Sequence, residues 1–210
     1  MGKESLSITE VRDMMLAVAD KIIESEPILT DADRALGDGD HGVGMERGMN
    51  AIKDKLGGED FANVGKVFMG VGMAMMSSMG GASGAVYGTF FRSGGKALGD
   101  AETFGSAECA TFFKEGTEGV MSRGGAKPGD KTMVDALMPA AEKAAEVVGQ
   151  PISEALSAVA EAAEAGKEAS KAMIATMGRA KTLGEKSIGH PDAGAVSVAI
   201  IVAKMSDCAA

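Results

Sequence analysis

Apolar residues recur every three or four positions through most of this 210-residue chain, and this period most constrains its fold. Near the N-terminus, Ser7 and Glu10 have the spacing of a helix capping box, and apolar residues follow them at helical intervals. No alternation of apolar and polar residues with a period of two persists in the sequence, which argues against a sheet. The sequence therefore predicts an all-α protein.

Glycine and proline divide this periodic sequence into eight predicted helices. They run from Ser7 to Pro27, Gly44 to Leu56, Asp60 to Ser78, Gly84 to Leu98, Thr103 to about Ser122, Asp130 to Val148, Pro151 to about Met177, and Gly194 to Met205. Short connections favour antiparallel neighbours, so we expect an up-and-down bundle or barrel in which alternate connections lie at the same end. Because no repeat or linker interrupts the chain, residues 1–210 are expected to form one domain.

Composition argues against several classes of protein. The chain has 30 acidic and 21 basic residues and a net charge of −9, so we expect neither nucleic acid nor an anionic membrane as its main partner. The apolar run at 193–203 is too short to cross a bilayer, and residues 1–5 lack the apolar core of a signal peptide. Cys109 and Cys208 are isolated thiols, which suits a reducing cytoplasm.

Methionine is abundant, with 16 residues, while aromatic residues are scarce. One group falls largely at helical spacing: Met69, Met73, Met75, Met76 and Met79. Because methionine is unbranched and adaptable, these residues are predicted to fill the core rather than a binding groove.

The most informative polar segment lies between residues 33 and 48, where Asp33, Asp38 and Asp40 occur among five glycines. Clustered carboxylates repel one another, and hard divalent cations such as Mg²⁺ or Ca²⁺ are the usual partners of such oxygen ligands. At about 100° per residue, a continuous helix would direct Asp38 roughly 140° away from Asp33, whereas a glycine-rich loop can bring all three together. The segment predicts a magnesium–phosphate site, with an acidic solvated turn as the alternative.

Common loop motifs do not account for this segment. An EF-hand starting at Asp38 would place Met49 where the bidentate glutamate belongs. The glycines at 37, 39 and 42 have the spacing of a dinucleotide-binding turn, but no strand-like run precedes them. The chain contains no P-loop motif.

Four further polar segments border predicted helices, at 77–84, 122–132, 178–180 and 187–194. Serines and backbone N–H groups at a helix N-terminus form a natural phosphate cradle, although a plain helix–helix turn explains the segment 77–84 equally well. Since alternate connections share one end of the array, we expect these segments to line one polar mouth.

Two groups of residues form a recognisable pattern. They are Asp33-x4-Asp38-Gly39-Asp40-His41-Gly42 and Gly80-Gly81-Ala82-Ser83-Gly84 with Tyr87-Gly88-Thr89-Phe90-Phe91. Together they resemble the nucleotide-binding L subunit of the dihydroxyacetone kinases. Further matching segments follow in the expected order at 122–124, 127–133, 178–180 and 183–190. The resemblance covers nearly the whole chain.

This resemblance implies a barrel of eight antiparallel helices that holds ADP or ATP at one end with two Mg²⁺ ions. The implied metal ligands are Asp33, Asp38 and Asp40. The implied nucleotide-binding residues are His41, Gly42, Val43, Gly44, Ala82, Ser83, Gly124, Met133, Arg179, Asp192, Ala193 and Gly194. We assign no catalytic side chain to this chain, because in the family a separate K subunit binds the ketone covalently through its own histidine.

The resemblance also leaves alternatives open. Family members either recharge a tightly held ADP from a phosphohistidine carrier of the sugar phosphotransferase system or exchange free ATP. His41 favours the first regime, while Gly44 stands where the family often has a polar residue. The substrate can be dihydroxyacetone or a four-carbon ketose, and a homodimer remains open.

Three rival interpretations remain. A similar aspartate loop occurs in the nucleotide-binding domain of bacterial fatty acid kinases, but those enzymes carry an additional domain. A regulatory module that senses nucleotide and docks onto a transcription factor is the second rival. A helical scaffold with acidic loops is the third, and it predicts no nucleotide binding.

Overall fold

The computed structural model describes residues 2–210 and contains nine α-helices within that range. The helices are α1 (Ile8–Glu24), α2 (Glu26–Arg34), α3 (His41–Gly57), α4 (Val64–Ser78), α5 (Gly81–Ala97), α6 (Ser106–Gly124), α7 (Val134–Glu146), α8 (Ile152–Ala169) and α9 (Ala193–Ala209). The predicted all-α fold is confirmed. The only strands among the described residues are β1 (Leu6–Ser7) and β2 (Thr103–Phe104), which form one short antiparallel pair that the sequence did not predict.

The helices form a closed ring. Starting from α1, each main helix packs against the next in the order α3, α4, α5, α6, α7, α8 and α9, and α9 packs against α1. The short helix α2 continues α1 and contacts α3 and α9, so α1 and α2 together fill one position. The ring therefore has eight positions, as the sequence predicted.

Successive connections lie at opposite ends of this ring. At one end, hydrogen bonds join the α7–α8 connection to the N-terminal segment and to the start of α6. Ile152 N donates to Glu4 O, and Gly149 N donates to Ser106 Oγ. The β1–β2 pair and a bond from Asn63 Nδ2 to Asp100 tie the same end together. The connections α2–α3, α4–α5, α6–α7 and α8–α9 therefore meet at the other end, where the candidate site lies.

The first predicted helix is wrong in its end point. It was expected to continue to Pro27, but α1 ends at Glu24 and α2 begins at Glu26. The break occurs at Ser25, whose hydroxyl donates to the carbonyl oxygen of Lys21. Pro27 lies in the first turn of α2, where a missing N–H costs no helical hydrogen bond.

Several other predicted boundaries are wrong where turns replace helix. The sixth helix begins at Val134 rather than Asp130, because Asp135 accepts hydrogen bonds from the N–H groups of Gly129 and Thr132 and stabilises a turn there. The seventh ends at Ala169 rather than about Met177. Beyond it the chain forms two 3₁₀ segments, Ser170–Ala172 and Ala180–Ser187.

The remaining starts also shift, by one to four residues. Helix α3 begins at His41 instead of Gly44, α4 at Val64 instead of Asp60, and α5 at Gly81 instead of Gly84. Helix α6 begins at Ser106 rather than Thr103, since Thr103 lies in β2, and α9 extends to Ala209.

The core draws on all nine helices and is centred on packed phenylalanines. Phe68 and Phe112 are closest, with ring centroids 4.2 Å apart. Of the predicted core methionines, Met75 and Met79 are buried. Met73 is 55% exposed, so its predicted place in the core is wrong. No helix in residues 2–210 is long and apolar enough to span a membrane.

Helices α4 and α5 approach each other unusually closely through glycines. A β-carbon built on Gly65 would lie 2.5 Å from the carbonyl oxygen of Gly95, and one built on Gly95 would lie 2.7 Å from the carbonyl oxygen of Gly65. Both obstacles are backbone atoms, which cannot rotate away. Only glycine at these positions permits this helix spacing.

We predict that Gly95→Ala lowers the free energy of unfolding by about 1–3 kcal/mol, because the added methyl group must force the two backbones apart. The matched control is Gly57→Ala at the exposed end of α3, where nothing lies within 4 Å of the new methyl group. The control should lose no stability, since alanine favours helix over glycine. Urea unfolding followed by circular dichroism compares the two, and equal midpoints would contradict the packing argument.

Candidate nucleotide- and metal-binding site

A cavity of about 800 Å³ opens among the four connections at one end of the ring. The helices α3, α5, α7 and α9 all begin there, so their N-terminal N–H groups and the positive ends of their dipoles are directed toward the cavity. Such an arrangement favours an anionic ligand.

Three carboxylates converge on one wall of the cavity. Asp33 lies in the last turn of α2, Asp38 lies in the following loop, and Asp40 immediately precedes α3. One oxygen from each carboxylate lies within 4.8 Å of the others. Gly39, with φ of +76°, makes the turn between Asp38 and Asp40. A loop rather than a continuous helix therefore brings the three together, as its glycine content indicated.

The three carboxylates have different partners. Asp33 accepts a hydrogen bond of 3.2 Å from the backbone N–H of His41, and Asp38 forms a 2.6 Å ion pair with Arg179. Asp40 makes no side-chain capping bond to α3. The Arg179 side chain is 71% exposed, so its pairing with Asp38 contributes little stability. A set of three hard oxygen donors with incomplete charge compensation fits a divalent cation such as Mg²⁺.

His41 connects α3 to α9. Its Nε2 lies 2.8 Å from the hydroxyl oxygen of Ser197, and the residue is buried. Burial lowers the pKa of His41, although the charges of Asp33 and Asp40 partly oppose that shift. The imidazole is therefore held neutral near pH 7. No sequence pattern pointed to Ser197, which lies 156 residues further along the chain.

The start of α5 has the features of a phosphate cradle. Gly80 and Gly81 adopt φ of +72° and +59°, and α5 has no side-chain cap, so the N–H groups of its first turn lack a capping partner. Ala82 and Ser83 follow and line the cavity. Arg47 donates a 3.1 Å hydrogen bond to the carbonyl oxygen of Met79 and anchors this turn to α3.

The start of α9 forms the floor of the cavity. Asp192 caps the helix by accepting a 2.8 Å hydrogen bond from Ala195 N, and Tyr87 donates from its hydroxyl to the carbonyl oxygen of Gly194. Burial raises the pKa of Asp192 to about 7, and the charge of Asp135 adds to this effect. The N–H of Ala195 and the ammonium of Lys131 oppose it.

The structure brings nearly all of the predicted site residues to this cavity. The residues that line it are Asp33, Asp38, Asp40, His41, Val43, Gly44, Ala82, Ser83, Gly124, Met133, Arg179, Asp192, Ala193 and Gly194. Gly42 instead faces α2, where a side chain would meet Thr30 and the carbonyl oxygen of Glu26.

Lys131 and Thr132 are among the lining residues that were not selected from the sequence, and Lys131 is buried. The signals for them were their place in the cation-containing connection at 122–132 and in the matching segment 127–133. Such a position does not distinguish a buried lysine from an exposed one.

The fold and the cavity define a class of all-α proteins whose candidate site lies in the connections at one end of a helical ring. Residues 35–207 match the DAK2 domain family. The PEP-dependent dihydroxyacetone kinase, ADP-binding subunit DhaL, of Escherichia coli K12 is 37% identical over 196 residues, covering 92% of this chain and 93% of that protein.

Longer kinases contain a similar domain. The L-erythrulose kinase of Pectobacterium atrosepticum is 37% identical over 90% of this chain, which spans 33% of that enzyme. The crystal structure of the dihydroxyacetone kinase from C. freundii in complex with AMP-PNP and Mg²⁺ matches with a TM-score of 0.70 and 27% identity, over 94% of this chain and 33% of that one. The chain therefore belongs to the DAK2 family, among the L-type subunits of the dihydroxyacetone kinases.

We predict that Asp192→Asn reduces the pH dependence of stability. The pKa of Asp192 is about 7 in the folded chain and 3.8 for an ordinary aspartate, so the folded state binds the proton more tightly. The stability contributed by this group is complete below its unfolded pKa and is lost as the pH rises through about 7. The urea midpoint of the unmodified chain should therefore fall more between about pH 5 and pH 8 than that of the variant.

Asp207→Asn is the matched control for this experiment, because Asp207 lies on the same helix and is 71% exposed. The control should retain the pH profile of the unmodified chain. Parallel profiles for the Asp192 variant and the unmodified chain would contradict the prediction.

Proposed function

We propose that this chain holds Mg–ADP or Mg–ATP in the cavity at the mouth of the ring and serves as the phosphoryl-transfer subunit of a dihydroxyacetone kinase. The observation that carries the proposal is the convergence of three carboxylates and the uncapped start of α5 on one cavity of about 800 Å³. A cation-binding wall next to a phosphate cradle is the pairing that a metal–nucleotide complex requires.

The side chains divide the work of binding between them. Asp33, Asp38 and Asp40 would bind Mg²⁺. The family resemblance implies two such ions. Bound Mg²⁺ supplies neutralisation of the phosphate charge. The N–H groups at the start of α5, together with Ser83, would donate to phosphate oxygens and fix their orientation. Arg179 lies across the cavity and would contribute a positive charge once its partner Asp38 is engaged elsewhere.

A nucleotide subunit of this kind needs a second protein to present the acceptor. We assign no catalytic side chain to this chain, because phosphoryl transfer depends mainly on positioning and charge stabilisation. The ketone would bind to a separate K-type subunit that docks at the mouth. The E. coli relative is named as PEP-dependent, which favours recharging of bound ADP by a phosphohistidine phosphocarrier over exchange of free ATP.

A four-carbon ketose is the second candidate substrate, since the relative from P. atrosepticum is named as an L-erythrulose kinase. The acceptor pocket would lie on the partner. An assay with a K-type subunit therefore compares dihydroxyacetone and erythrulose directly, with either ATP or phosphoenolpyruvate and phosphocarrier proteins as donor.

We expect the purified chain to release stoichiometric ADP when it is denatured and its small molecules are separated by ion exchange. Retention of ADP through purification would support the regime in which a phosphohistidine carrier recharges the bound nucleotide, so that the nucleotide acts as a cofactor. An empty protein that binds ATP only with Mg²⁺ would favour the exchanging regime. An empty protein that binds neither nucleotide would overturn the proposed function.

We predict that Asp40→Asn has opposite effects on ligand binding and on stability. Loss of one carboxylate ligand should weaken Mg–ADP binding by about tenfold or more. The same change relieves repulsion among three like charges, so the metal-free chain should become more stable. Isothermal titration calorimetry and thermal unfolding in chelator measure the two effects.

Asp31→Asn is the control, because Asp31 is an exposed residue of α2 that pairs only with Arg34 and lies outside the cavity. Its Mg–ADP affinity should equal that of the unmodified chain. Unchanged affinity in the Asp40 variant would identify the acidic segment as a solvated turn.

A further inference from the structure

Lys131 combines two unusual properties. It is the only non-glycine among residues 2–210 with a positive φ, at +60°, and it is only 2% exposed. Lysine side chains are seldom buried, and side chains other than those of glycine, asparagine and aspartate rarely occupy this backbone region. A residue that keeps both properties is held in place by its interactions.

Those interactions are made by the ammonium group. Lys131 Nζ donates to the carbonyl oxygens of Ser170 and His190, both at 2.6 Å. Burial lowers the pKa of the Lys131 ammonium, and the charges of Asp192 and Asp135 partly oppose that shift. The two carbonyl groups lie near the two ends of the connection between α8 and α9, so one side chain joins both ends of that connection.

This connection, residues 170–192, forms one wall of the cavity and contributes Met177, Gly178, Arg179 and Ala180 to its lining. It contains only 3₁₀ turns, interrupted at Gly184, and no α-helix. Apart from Lys131, it is held mainly by the ion pair of Arg179 with Asp38 and by hydrogen bonds of Thr176 to Asp130, of Ala175 N to Ser187, and of Gly189 N to Lys171. Its position therefore depends on a few polar contacts rather than on helix packing.

We propose that Lys131 is a positioning residue that clamps the connection 170–192 closed and keeps Arg179 over the cavity, and thereby sets how long the nucleotide stays bound. The effect on nucleotide dissociation rests on the proposed function. The restraint of the connection 170–192 by Lys131 concerns the chain without ligand and does not depend on it. Lys131 donates no hydrogen bond to the three carboxylates or to the start of α5, and both hydrogen bonds of its ammonium tie it to the ends of this wall.

The test uses two variants that remove the ammonium in different ways. Lys131→Met keeps most of the side-chain volume, whereas Lys131→Gly also removes the backbone strain and so protects against failure to fold. Lys131→Arg keeps a charged donor and serves as the conservative variant. Lys127→Met is the control, since Lys127 is an exposed cation in the same α6–α7 connection as Lys131.

Two measurements are made on the full chain. Hydrogen exchange of the nucleotide-free protein should show faster exchange in residues 173–188 of both the Met and Gly variants, and unchanged exchange in α4 and α5. Stopped-flow displacement of a fluorescent ADP analogue with Mg²⁺ should show dissociation about tenfold faster, with association changed by less than about twofold. Lys131→Arg should recover part of the slow dissociation.

The outcomes separate the two hypotheses. If the unmodified chain binds Mg–ADP and both variants keep its exchange pattern and dissociation rate, the clamp is overturned and the proposed function stands. If the unmodified chain binds no Mg–ADP, the proposed function is overturned, together with the nucleotide part of this inference. A uniform increase in exchange across all helices would also overturn it, because that result describes general destabilisation.

Discussion

Apolar side chains of α9 pack against those of α1, and this contact turns a row of antiparallel helices into a closed ring. Closure gives every position in the ring two neighbours. It also fixes which connections share an end. The four connections at the mouth belong to α2–α3, α4–α5, α6–α7 and α8–α9, and residues more than 150 positions apart, such as His41 and Ser197, come into hydrogen-bonding contact there.

The mouth combines walls of opposite electrostatic character. One wall carries the carboxylates of Asp33, Asp38 and Asp40, and the facing wall carries Arg179, which reaches across to Asp38. Between them lie the N-termini of four helices. A ligand that contains both a cation and phosphates satisfies all three features together, whereas a simple anion or a simple cation would leave one of them uncompensated.

Sequence reasoning succeeded where a feature depends on local pattern. Helical periodicity predicted the fold class and the eight ring positions, and the spacing of Asp33, Asp38 and Asp40 among glycines predicted that they meet in a loop. It failed at Ser25, whose hydroxyl bonds locally to the carbonyl oxygen of Lys21 where the first helix breaks, and at Met73, which faces solvent despite its helical spacing. The burial of Lys131 depends on carbonyl groups about 40 and 60 residues away in the chain, so no local pattern could predict it.

The glycine contact between α4 and α5 has a consequence for the entropy of binding. Because the backbones at Gly65 and Gly95 already touch, these two helices have little freedom to slide or tilt, and the turn at Gly80 joins them directly at the mouth. The groups that this turn presents would therefore meet a ligand with little loss of conformational freedom. Most of the ordering cost of ligand binding would fall on the opposite wall, where no α-helix restrains the chain between Ala169 and Ala193.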